Sequence, residues 1–579
     1  MKWIKWNING APDSVRMLEK ICKTRFEDLK ITNHDYYEDD CCSFMSIENC
    51  KYKHDISNMS NDKVCIFGDI ELFNMLELCS KYGIPFHKKS LIQLYEKCGS
   101  VIFSQLNGEF TFILFDKLKK KLFLIVDSLG IKELFWSFSN GILDASTDLF
   151  LLKEVIELER QNPKYFKDFL KMGGTYTGKE TPYTNVFRIL PGSYVSINLV
   201  SNEIQENKYW DLSDVCMLTR YTTEEAYFEQ FRHLLAEALD RRLLLEKNGV
   251  AMSGGLDSTT LFAISKKFVD KTDIIPISGI FTQLHDCDET QLIQQVCSMY
   301  GTTPKLVNCD DSGMLVNYPE QYPNSDEPQC PSLSSSFTMK ILKYASQNNI
   351  TNLIDGYAAD YLLTGTPLVS ADLMNHGKIL QSLKHIKDTG RMYDESVYET
   401  IYKNLIRRKN EIDETMLNNV KNTLARIKTH NQRNIYTQIF HSRTFKLLDR
   451  TLAPKFNLSV RHPFLDKDLI EFVYAIPGEM LFQKAKDKYL IREGMKYYLP
   501  SDVLRKTQKT QHISLSFKGI NEVWSKIFPE VEKYRQQRFS ETDITKEKWI
   551  EMLQNFRSGK DFSNKIFTML CLELWLAQR

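Results

Sequence analysis

The sequence lacks several features that would assign it to a class at once. It contains no run of about 18 apolar residues, and its first residues do not form the basic and then apolar pattern of a signal peptide. Charge of one sign is also lacking, because 75 basic residues balance 74 acidic ones and the formal net charge is +1. We therefore expect a cytoplasmic protein without a membrane or nucleic-acid partner.

Paired cysteines are lacking too. The chain contains 13 cysteines, and none of them belongs to a Cys-x-x-Cys pair. A structural zinc site needs two well-spaced ligand pairs, so we assign no zinc centre. The length of 579 residues is sufficient for two or more domains, each with its own core.

The hydrophobic pattern changes along the chain and predicts two domains, residues 1–213 and 222–579. The first contains short β-like runs, at residues 101–103, 110–115, 122–126 and 193–199. The second alternates short strands with long helical patterns, which is typical of a doubly wound α/β sheet. Its predicted strands are residues 250–252, 274–281, 305–308 and 352–354. Residues 222–225, Thr-Thr-Glu-Glu, form a capping box for its first helix.

The most informative stretch is residues 253–258, Ser-Gly-Gly-Leu-Asp-Ser. It lies between an apolar strand and a helical pattern, so its backbone N–H groups belong to a helix N-terminus, where anions bind. Asp257 in this loop suggests a magnesium ion beside the anion. The spacing differs from that of kinase and dinucleotide loops. It resembles the pyrophosphate-binding loop of enzymes that split ATP into AMP and pyrophosphate.

Further motifs follow this loop in order. They are Asp288-Glu289, residues 355–360 (Asp-Gly-Tyr-Ala-Ala-Asp), Asp449-Arg450, residues 461–466 (Arg-His-Pro-Phe-Leu-Asp) and residues 486–492 (Lys-Asp-Lys-Tyr-Leu-Ile-Arg). The second of them lies at a strand end, which is where doubly wound sheets bind ligands. With all motifs in this order, residues 222–579 resemble the ATP-pyrophosphatase domain of the asparagine synthetase B-like family.

The resemblance implies ATP and Mg²⁺ as cofactors. Enzymes of this family adenylate a carboxylate, release pyrophosphate and let an amine displace AMP. The resemblance further implies that Asp257 and Asp360 hold the metal, and that Lys488 is catalytic because it stabilises the adenylate and the oxyanion. The residues predicted to bind the nucleotide are Ala251, Ser253, Gly254, Gly255, Leu256, Asp257, Ser258 and Gly356.

The first part of the chain carries a second resemblance. Residues 106–110, 127–130 and 187–193, followed by Tyr209-Trp210, resemble the class II glutaminase domain of asparagine synthetase B, an α+β sandwich of the Ntn-hydrolase type. That domain needs a cysteine directly after the initiator methionine, because the freed amine serves as its base. Here Lys2 occupies the position. We therefore expect an inactive glutaminase and a nitrogen source other than glutamine.

Two stretches distinguish this chain from asparagine synthetases. Tyr357 lies where those enzymes have glutamate. β-Lactam synthetases have tyrosine there, paired with a glutamate so that it can deprotonate an internal amine. Packing of Tyr357 over the adenosine is the alternative role. Residues 361–367 (Tyr-Leu-Leu-Thr-Gly-Thr-Pro) and 370–374 (Ser-Ala-Asp-Leu-Met) resemble the corresponding stretch of lasso-peptide cyclases.

These observations favour an ATP-dependent synthetase that closes an intramolecular amide. The first hypothesis is macrolactam formation on a ribosomal lasso-type precursor peptide, with that peptide and a leader peptidase as partners. A β-lactam-synthetase-like ligase of small molecules, an ammonia-dependent asparagine synthetase-like enzyme and a silent scaffold are the alternatives. The formal net charge of +1 does not support a tRNA-modifying enzyme with a similar loop.

Overall fold

The computed structural model describes most of the chain. The described residues are 2–7, 33–38, 42–48, 58–139, 142–155, 161–174, 176, 178–217, 221–244, 247–269, 274–406, 418–441, 444–507, 513–533, 545–560 and 563–578. The chain forms two compact units. Unit 1 comprises Met1–Lys167 and Gly178–Asp214, and unit 2 comprises Asp168–Thr177 and Val215–Arg579.

Unit 1 contains two antiparallel sheets of six strands each. The strands are β1 (Lys2–Asn7), β2 (Asn33–Glu38), β3 (Cys42–Glu48), β4 (Asn58–Ser60), β5 (Val64–Leu72), β6 (Gly108–Asp116), β7 (Lys121–Val126), β8 (Phe135–Ser139), β9 (Ile142–Ser146), β10 (Phe187–Arg188), β11 (Ser193–Asn198) and β12 (Ile204–Lys208). One sheet has the order β10-β8-β9-β1-β3-β2, and the other has the order β12-β11-β7-β6-β5-β4.

The two sheets of unit 1 pack face to face. One core combines side chains of both sheets, such as Phe67 of β5 and Trp136 of β8. Ile66, the neighbour of Phe67, belongs to a second core, where β5, β6 and β7 pack against α1 (Met75–Tyr82) and α2 (Ser90–Cys98). Successive side chains of a strand point to opposite faces, so each strand serves both layers. These layers form the α+β sandwich that the resemblance implied.

One predicted strand of unit 1 is wrong. Residues 101–103 belong to a 3₁₀ helix, Gly99–Gln105, that follows α2. Ile102 and Phe103 are buried in the core under the helices, whereas Val101 is exposed. A run of three apolar residues cannot distinguish a strand from a buried helical turn, because both conformations bury such residues. The remaining predicted runs coincide with β6, β7 and β11.

Unit 2 is built on a parallel sheet of five strands. They are β13 (Asn248–Ala251), β14 (Ile274–Ile280), β15 (Lys305–Asn308), β16 (Asn352–Ile354) and β17 (Ser459–Arg461). Their order is β15-β14-β13-β16-β17, so the direction of winding reverses between β13 and β16. Ligands of doubly wound sheets bind beyond the carboxyl ends of the strands at such a reversal. The loops after β13 and β16 carry the two main motifs.

The first helix of unit 2 that follows the predicted capping box is α5 (Glu224–Asp240), and its N-cap is Thr223, with Ala226 and not a glutamate as the third helical residue. Thr223 Oγ1 accepts a hydrogen bond from Ala226 N at 3.3 Å. Two helices precede α5 in the chain, α3 (Leu149–Val155) and α4 (Pro163–Lys171). The other helices of unit 2 follow α5. The helices are α6 (Leu256–Lys267), α7 (Thr290–Met299), α8 (Ser335–Gln347), α9 (Ala359–Leu363), α10 (Val369–Asn375), α11 (Ile379–Tyr393), α12 (Val397–Ile401), α13 (Asn418–Arg426), α14 (His430–His441), α15 (Phe445–Leu447), α16 (Lys467–Ala475), α17 (Tyr489–Gly494), α18 (Ser501–Arg505), α19 (Ile513–Val531), α20 (Lys546–Arg557) and α21 (Asn564–Ala577). None of the helices described combines the length and the apolar character that crossing a membrane requires.

The predicted extent of the first domain needs a correction. The sequence pattern assigned all of residues 1–213 to it, but residues 168–177 belong to unit 2. Leu170 packs against the core formed by α19, α20 and α21. Gly174 approaches Cys330 so closely that an added Cβ would lie 2.2 Å from its Sγ. Contacts between segments this far apart in the chain leave no trace in a local hydrophobic pattern.

Candidate active site

The loop after β13 leads directly into a helix N-terminus. Gly255 caps α6 in an extended conformation, with φ −82° and ψ 159°, so the first N–H groups of the helix have no partner within the helix. Two serines brace the loop. Ser258 Oγ accepts the N–H of Ser253 at 3.0 Å and lies 3.1 Å from Ser253 Oγ. The motif therefore stabilises its own turn in addition to offering donors to an anion.

One N–H group of this loop contacts a carboxylate. Gly254 donates to Oε2 of Glu289 at 3.0 Å, and Oε1 of Glu289 pairs with Lys506 Nζ. A Cβ on Gly254 would lie 2.9 Å from the Cβ atoms of both Glu289 and Leu292, so packing against α7 also requires the glycine. The sequence reasoning missed Lys506, because its partner lies 217 residues away.

Lys488 joins the two strand-end loops. Its Nζ lies 2.5 and 2.7 Å from the two carboxylate oxygens of Asp257, and 2.6 Å from Oδ1 of Asp360. Asp257 lies in the first turn of α6 and Asp360 in α9, on either side of the reversal in strand order. Burial opposes the charge of Lys488, but the two carboxylates outweigh it and raise the pKa of the lysine above its usual value. The side chain is therefore an ammonium at neutral pH.

The backbone is strained at two positions of this site. Ala358 has φ 71° and Lys488 has φ 49°, both in the left-handed region, and each residue directly precedes a short helix. This conformation costs an L-residue about 1–2 kcal/mol. Such strain persists only where the surrounding structure imposes it, and it concentrates at functional sites. The strained positions therefore lie in the two segments that the ion pair between Lys488 and Asp360 joins.

Two carboxylates directed at one cation are a suitable donor set for Mg²⁺. This metal commonly takes one or two protein carboxylates and completes its shell with phosphate oxygens and water. Gly356 brings the loops together, since a Cβ there would lie 3.2 Å from Ser258 N and 3.3 Å from Asp257 Cβ. Within the described ranges, no group of three or more His, Cys, Asp or Glu side chains could hold a metal ion. Asp257 and Asp360 could therefore supply two carboxylate ligands, and a metal held there would need further ligands from outside the protein.

Tyr357 lies on the loop after β16 within a cluster of rings. The centroid distances are 5.3 Å to His462, 5.4 Å to Phe445 and 5.5 Å to Tyr361. Thr444 Oγ1 donates to its hydroxyl at 3.4 Å. Burial, reinforced by the Tyr361 phenol, raises the pKa of Tyr357 above its usual value. The phenol therefore stays protonated at neutral pH, which favours a packing role over that of a base.

Two of the remaining motifs hold segments in place. Asp466 caps α16 by accepting the N–H of Asp468 at 3.1 Å, and it accepts a hydrogen bond from the buried Arg242 at 2.8 Å. Arg450 pairs with Asp326 through its Nη2. The sequence order of these motifs indicated a family, and the contacts show that these side chains have structural partners.

Comparison with known proteins agrees with this arrangement. Residues 230–577 match the asparagine synthase family, and residues 59–210 match the glutamine amidotransferase domain. The first match covers more than half of the 579 residues. The chain therefore belongs to the asparagine synthase family.

Three relatives extend over most of the chain. Amidase chyE of Penicillium rubens is 23% identical over 489 residues, which cover 72% of this chain and 71% of the relative. The probable asparagine synthetase (glutamine-hydrolyzing) of Acanthamoeba polyphaga mimivirus is 22% identical over 497 residues, covering 80% and 74%. Asparagine synthetase (glutamine-hydrolyzing) 3 of Bacillus subtilis is 23% identical over 510 residues, covering 82% and 79%. This membership makes the chain an ATP-dependent carbon–nitrogen ligase.

Proposed function

We propose that this ligase activates a carboxylate of a peptide and closes a macrolactam with an amine of the same molecule, as on a ribosomal lasso-type precursor. The observation that carries the activating half is the meeting of Asp257, Asp360 and Lys488 beyond β13 and β16. Two acids and a buried cation beside a helix N-terminus suit the charge distribution of a magnesium nucleotide.

In the first step, a carboxylate oxygen attacks the α-phosphorus of ATP, the bond to the bridging oxygen breaks, and pyrophosphate leaves. Asp257 and Asp360 would hold Mg²⁺, which neutralises part of the phosphate charge when bound. Lys488 is charged and meets the negative charge that develops at the α-phosphate. The N-terminus of α6 behind Gly255 offers N–H donors to the departing pyrophosphate.

In the second step, the amine nitrogen attacks the acyl carbon and passes a proton to water as the C–N bond forms. The C–O bond to the adenylate then breaks, and AMP leaves with its electron pair. Negative charge accumulates on the acyl oxygen in between, so a fixed donor lowers the barrier, typically by about 3 kcal/mol. Lys488 is proposed to be this donor. Tyr357 is proposed to form part of the wall on the acceptor side.

The nitrogen is proposed to come from the substrate and not from glutamine. The proposal assigns the position of the glutaminase nucleophile to Lys2, and strand β1, Lys2–Asn7, contains no cysteine. A lysine side chain, protonated at neutral pH, does not form the thioester. We expect no release of glutamate when the purified protein is incubated with glutamine. Release at a rate similar to that of ATP turnover would contradict this part.

The test of the main proposal is carboxylate-dependent exchange of labelled pyrophosphate into ATP. Synthetic peptides with a free N-terminal amine and an internal Asp or Glu are the probes. We expect exchange together with a peptide product lighter by one water, and neither with the Lys488→Ala variant. Exchange with free β-amino acids and none with any peptide would reject the proposal in favour of a small-molecule ligase.

A β-lactam-synthetase-like ligase is the second candidate, because Tyr357 matches the tyrosine of those enzymes. It requires ionisation of a phenol whose pKa is raised by burial. An ammonia-dependent asparagine synthetase-like reaction is the third. Aspartate with ammonium chloride therefore belongs in the same exchange assay, where asparagine formation would identify it.

A further inference from the structure

A second cation between two carboxylates lies at the carboxyl ends of β16 and β17 in unit 2. His462 follows β17, and its Nδ1 lies 2.6 Å from Oδ1 of Asp355. Its Nε2 lies 3.0 Å from both carboxylate oxygens of Asp449. Asp355 follows β16 directly, and Asp449 belongs to the π-helical turn Leu448–Leu452. His462 is only 2% exposed.

Both ring nitrogens face carboxylate oxygens. A neutral imidazole has a single donor and would direct a lone pair at one of the two acids, so the geometry requires a ring protonated on both nitrogens. Burial opposes this charge, but Asp355 and Asp449 raise the pKa of His462 well above its usual value. The other contacts on the ring are Tyr357 and Phe445, which are uncharged at neutral pH.

One carboxylate oxygen connects this cation to the loop after β16. Oδ1 of Asp355, which accepts the hydrogen bond from His462, also accepts the N–H of Tyr357 at 3.1 Å. The backbone N–H of Asp355 donates to the carbonyl of Arg461 at 3.1 Å, which ties the ends of β16 and β17 together. The ring of His462 packs against the ring of Tyr357 as well. The histidine therefore supports both the backbone and the side chain of Tyr357.

We propose that His462 is a positioning residue for the amide-forming step, acting as a buried cation that holds the loop of Tyr357 through Asp355 and Asp449. The inference rests on the proposed function of the site. On the nucleotide side, Asp257 and Lys488 are held by α6 and by the turn before α17, which are separate elements, and Asp360 lies three residues after Tyr357, within α9. Loss of the cation should therefore impair attack by a bound amine more than it impairs adenylation.

The variant His462→Gln tests this split, because glutamine cannot carry the charge or donate to both acids. With a peptide that supports exchange in the wild type, we expect the rate of pyrophosphate exchange by the variant to stay within about threefold of the wild-type rate. Hydroxamate formation with hydroxylamine, a small amine that needs no acceptor pocket, should behave in the same way. Formation of the cyclic amide should fall about 100-fold, as expected when a reacting group is displaced by about an ångström.

His385→Gln is the matched control. His385 is also buried, but its Nε2 contacts the carbonyl oxygen of Phe482 at 3.0 Å, and burial lowers its pKa. It lies on α11, outside the proposed site. All three rates should remain unchanged in this variant. A thermal shift with MgATP verifies that both variants fold and bind nucleotide.

A spectroscopic measurement needs no substrate. With ¹⁵N-labelled histidine, the imidazolium signal assigned to His462 should persist in the wild type at pH 8.5, disappear in His462→Gln and remain in His385→Gln. A neutral His462 at this pH would overturn the inference, as would equal losses of exchange and amide formation in the folded variant. If none of the tested carboxylates supports pyrophosphate exchange by the wild type, the proposed function fails. The positioning role then fails with it, whatever the spectrum shows.

Discussion

Lys488 and His462 form similar arrangements, each with one cation between two aspartates. The two cations differ in how readily they can exchange a carboxylate partner for another group. The lysine ammonium is a point charge on a flexible stem, so it can exchange a carboxylate for a phosphate oxygen. The side chain of Lys488 is itself 7% exposed, and that of its partner Asp360 is 33% exposed, compared with 18% and 19% for the partners of His462. The imidazole of His462 is rigid, 2% exposed, and uses both of its donors on aspartates.

The comparison indicates a division of labour. A cation proposed to meet charge developing on a substrate needs a partner that the substrate can replace, and Asp360 is the most exposed of the four carboxylates. A cation that holds two loops in register needs a fixed geometry and exclusion of water, because low polarity strengthens its ion pairs. Substitution of Lys488 should therefore mainly reduce catalysis. Substitution of His462 should also lower the free energy of unfolding.

The largest expected effect is at Lys488. Lys488→Ala removes the proposed donor at the α-phosphate and the acyl oxygen, so AMP release should fall by about 10²–10³-fold. Initial rates of AMP and pyrophosphate formation measure it. Lys486→Ala is the control, because this neighbour is half exposed and pairs with Glu493 at 2.8 Å. Similar rates in the two variants would reject the assignment.

The next effect concerns folding at His462. Removing one partner of a buried pair costs about 3 kcal/mol, so His462→Gln should lower the free energy of unfolding by that amount at pH 6. The native pKa of His462 is raised, so this stabilisation is fully present below the unfolded-state pKa. It is lost as the pH rises through the native pKa. Urea titrations should show the difference from the wild type narrowing from pH 6 to pH 9.

His385→Gln should show the opposite trend. Burial lowers the native pKa of His385, so the neutral ring is the stabilising form and its advantage declines as the pH falls below the unfolded-state pKa. The destabilisation by this substitution should therefore shrink on acidification. The same trend with pH in both variants would show that the charge of His462 has no specific role.

A smaller effect is expected on the Mg²⁺ requirement, and it should distinguish Asp360 from Asp449. Asp360→Asn removes a proposed metal ligand and should raise the Mg²⁺ concentration for half-maximal pyrophosphate exchange by about 10- to 100-fold. Asp449→Asn, which changes a carboxylate that pairs with His462, should leave this concentration unchanged. Magnesium titrations of the exchange rate make the comparison. A shift of equal size in both variants would mean that the two arrangements are not independent.

The smallest expected effect is at the hydroxyl of Tyr357. Its raised pKa keeps the phenol neutral, and the ring makes the contact with His462. Tyr357→Phe should therefore lower cyclic amide formation by no more than about threefold, whereas loss of a general base typically costs about 10²–10⁴-fold. A decrease in that range, with exchange preserved, would support the β-lactam-synthetase-like mechanism instead.

Much of the fold followed from local patterns. The four strands predicted for unit 2 overlap β13 to β16, and a threonine of the predicted capping segment, Thr223, is the N-cap of α5. Local rules succeed here because capping, glycine conformation and strand alternation depend on neighbours in the chain. They failed at residues 101–103, where three apolar residues suit two conformations, and at residues 168–177, whose partners are distant.

For the site, the sequence by itself predicted an anion-binding loop and singled out Asp257, Asp360 and Lys488, because each lies in a recognisable motif, and the structure brings these three side chains together. Only the tertiary structure decided how these groups are charged and held. Glu289 meets Lys506 across 217 residues, and Asp355 meets His462 across 107. The energy of a charge depends on burial and on neighbours in space, and neither of these can be read from positions along the chain.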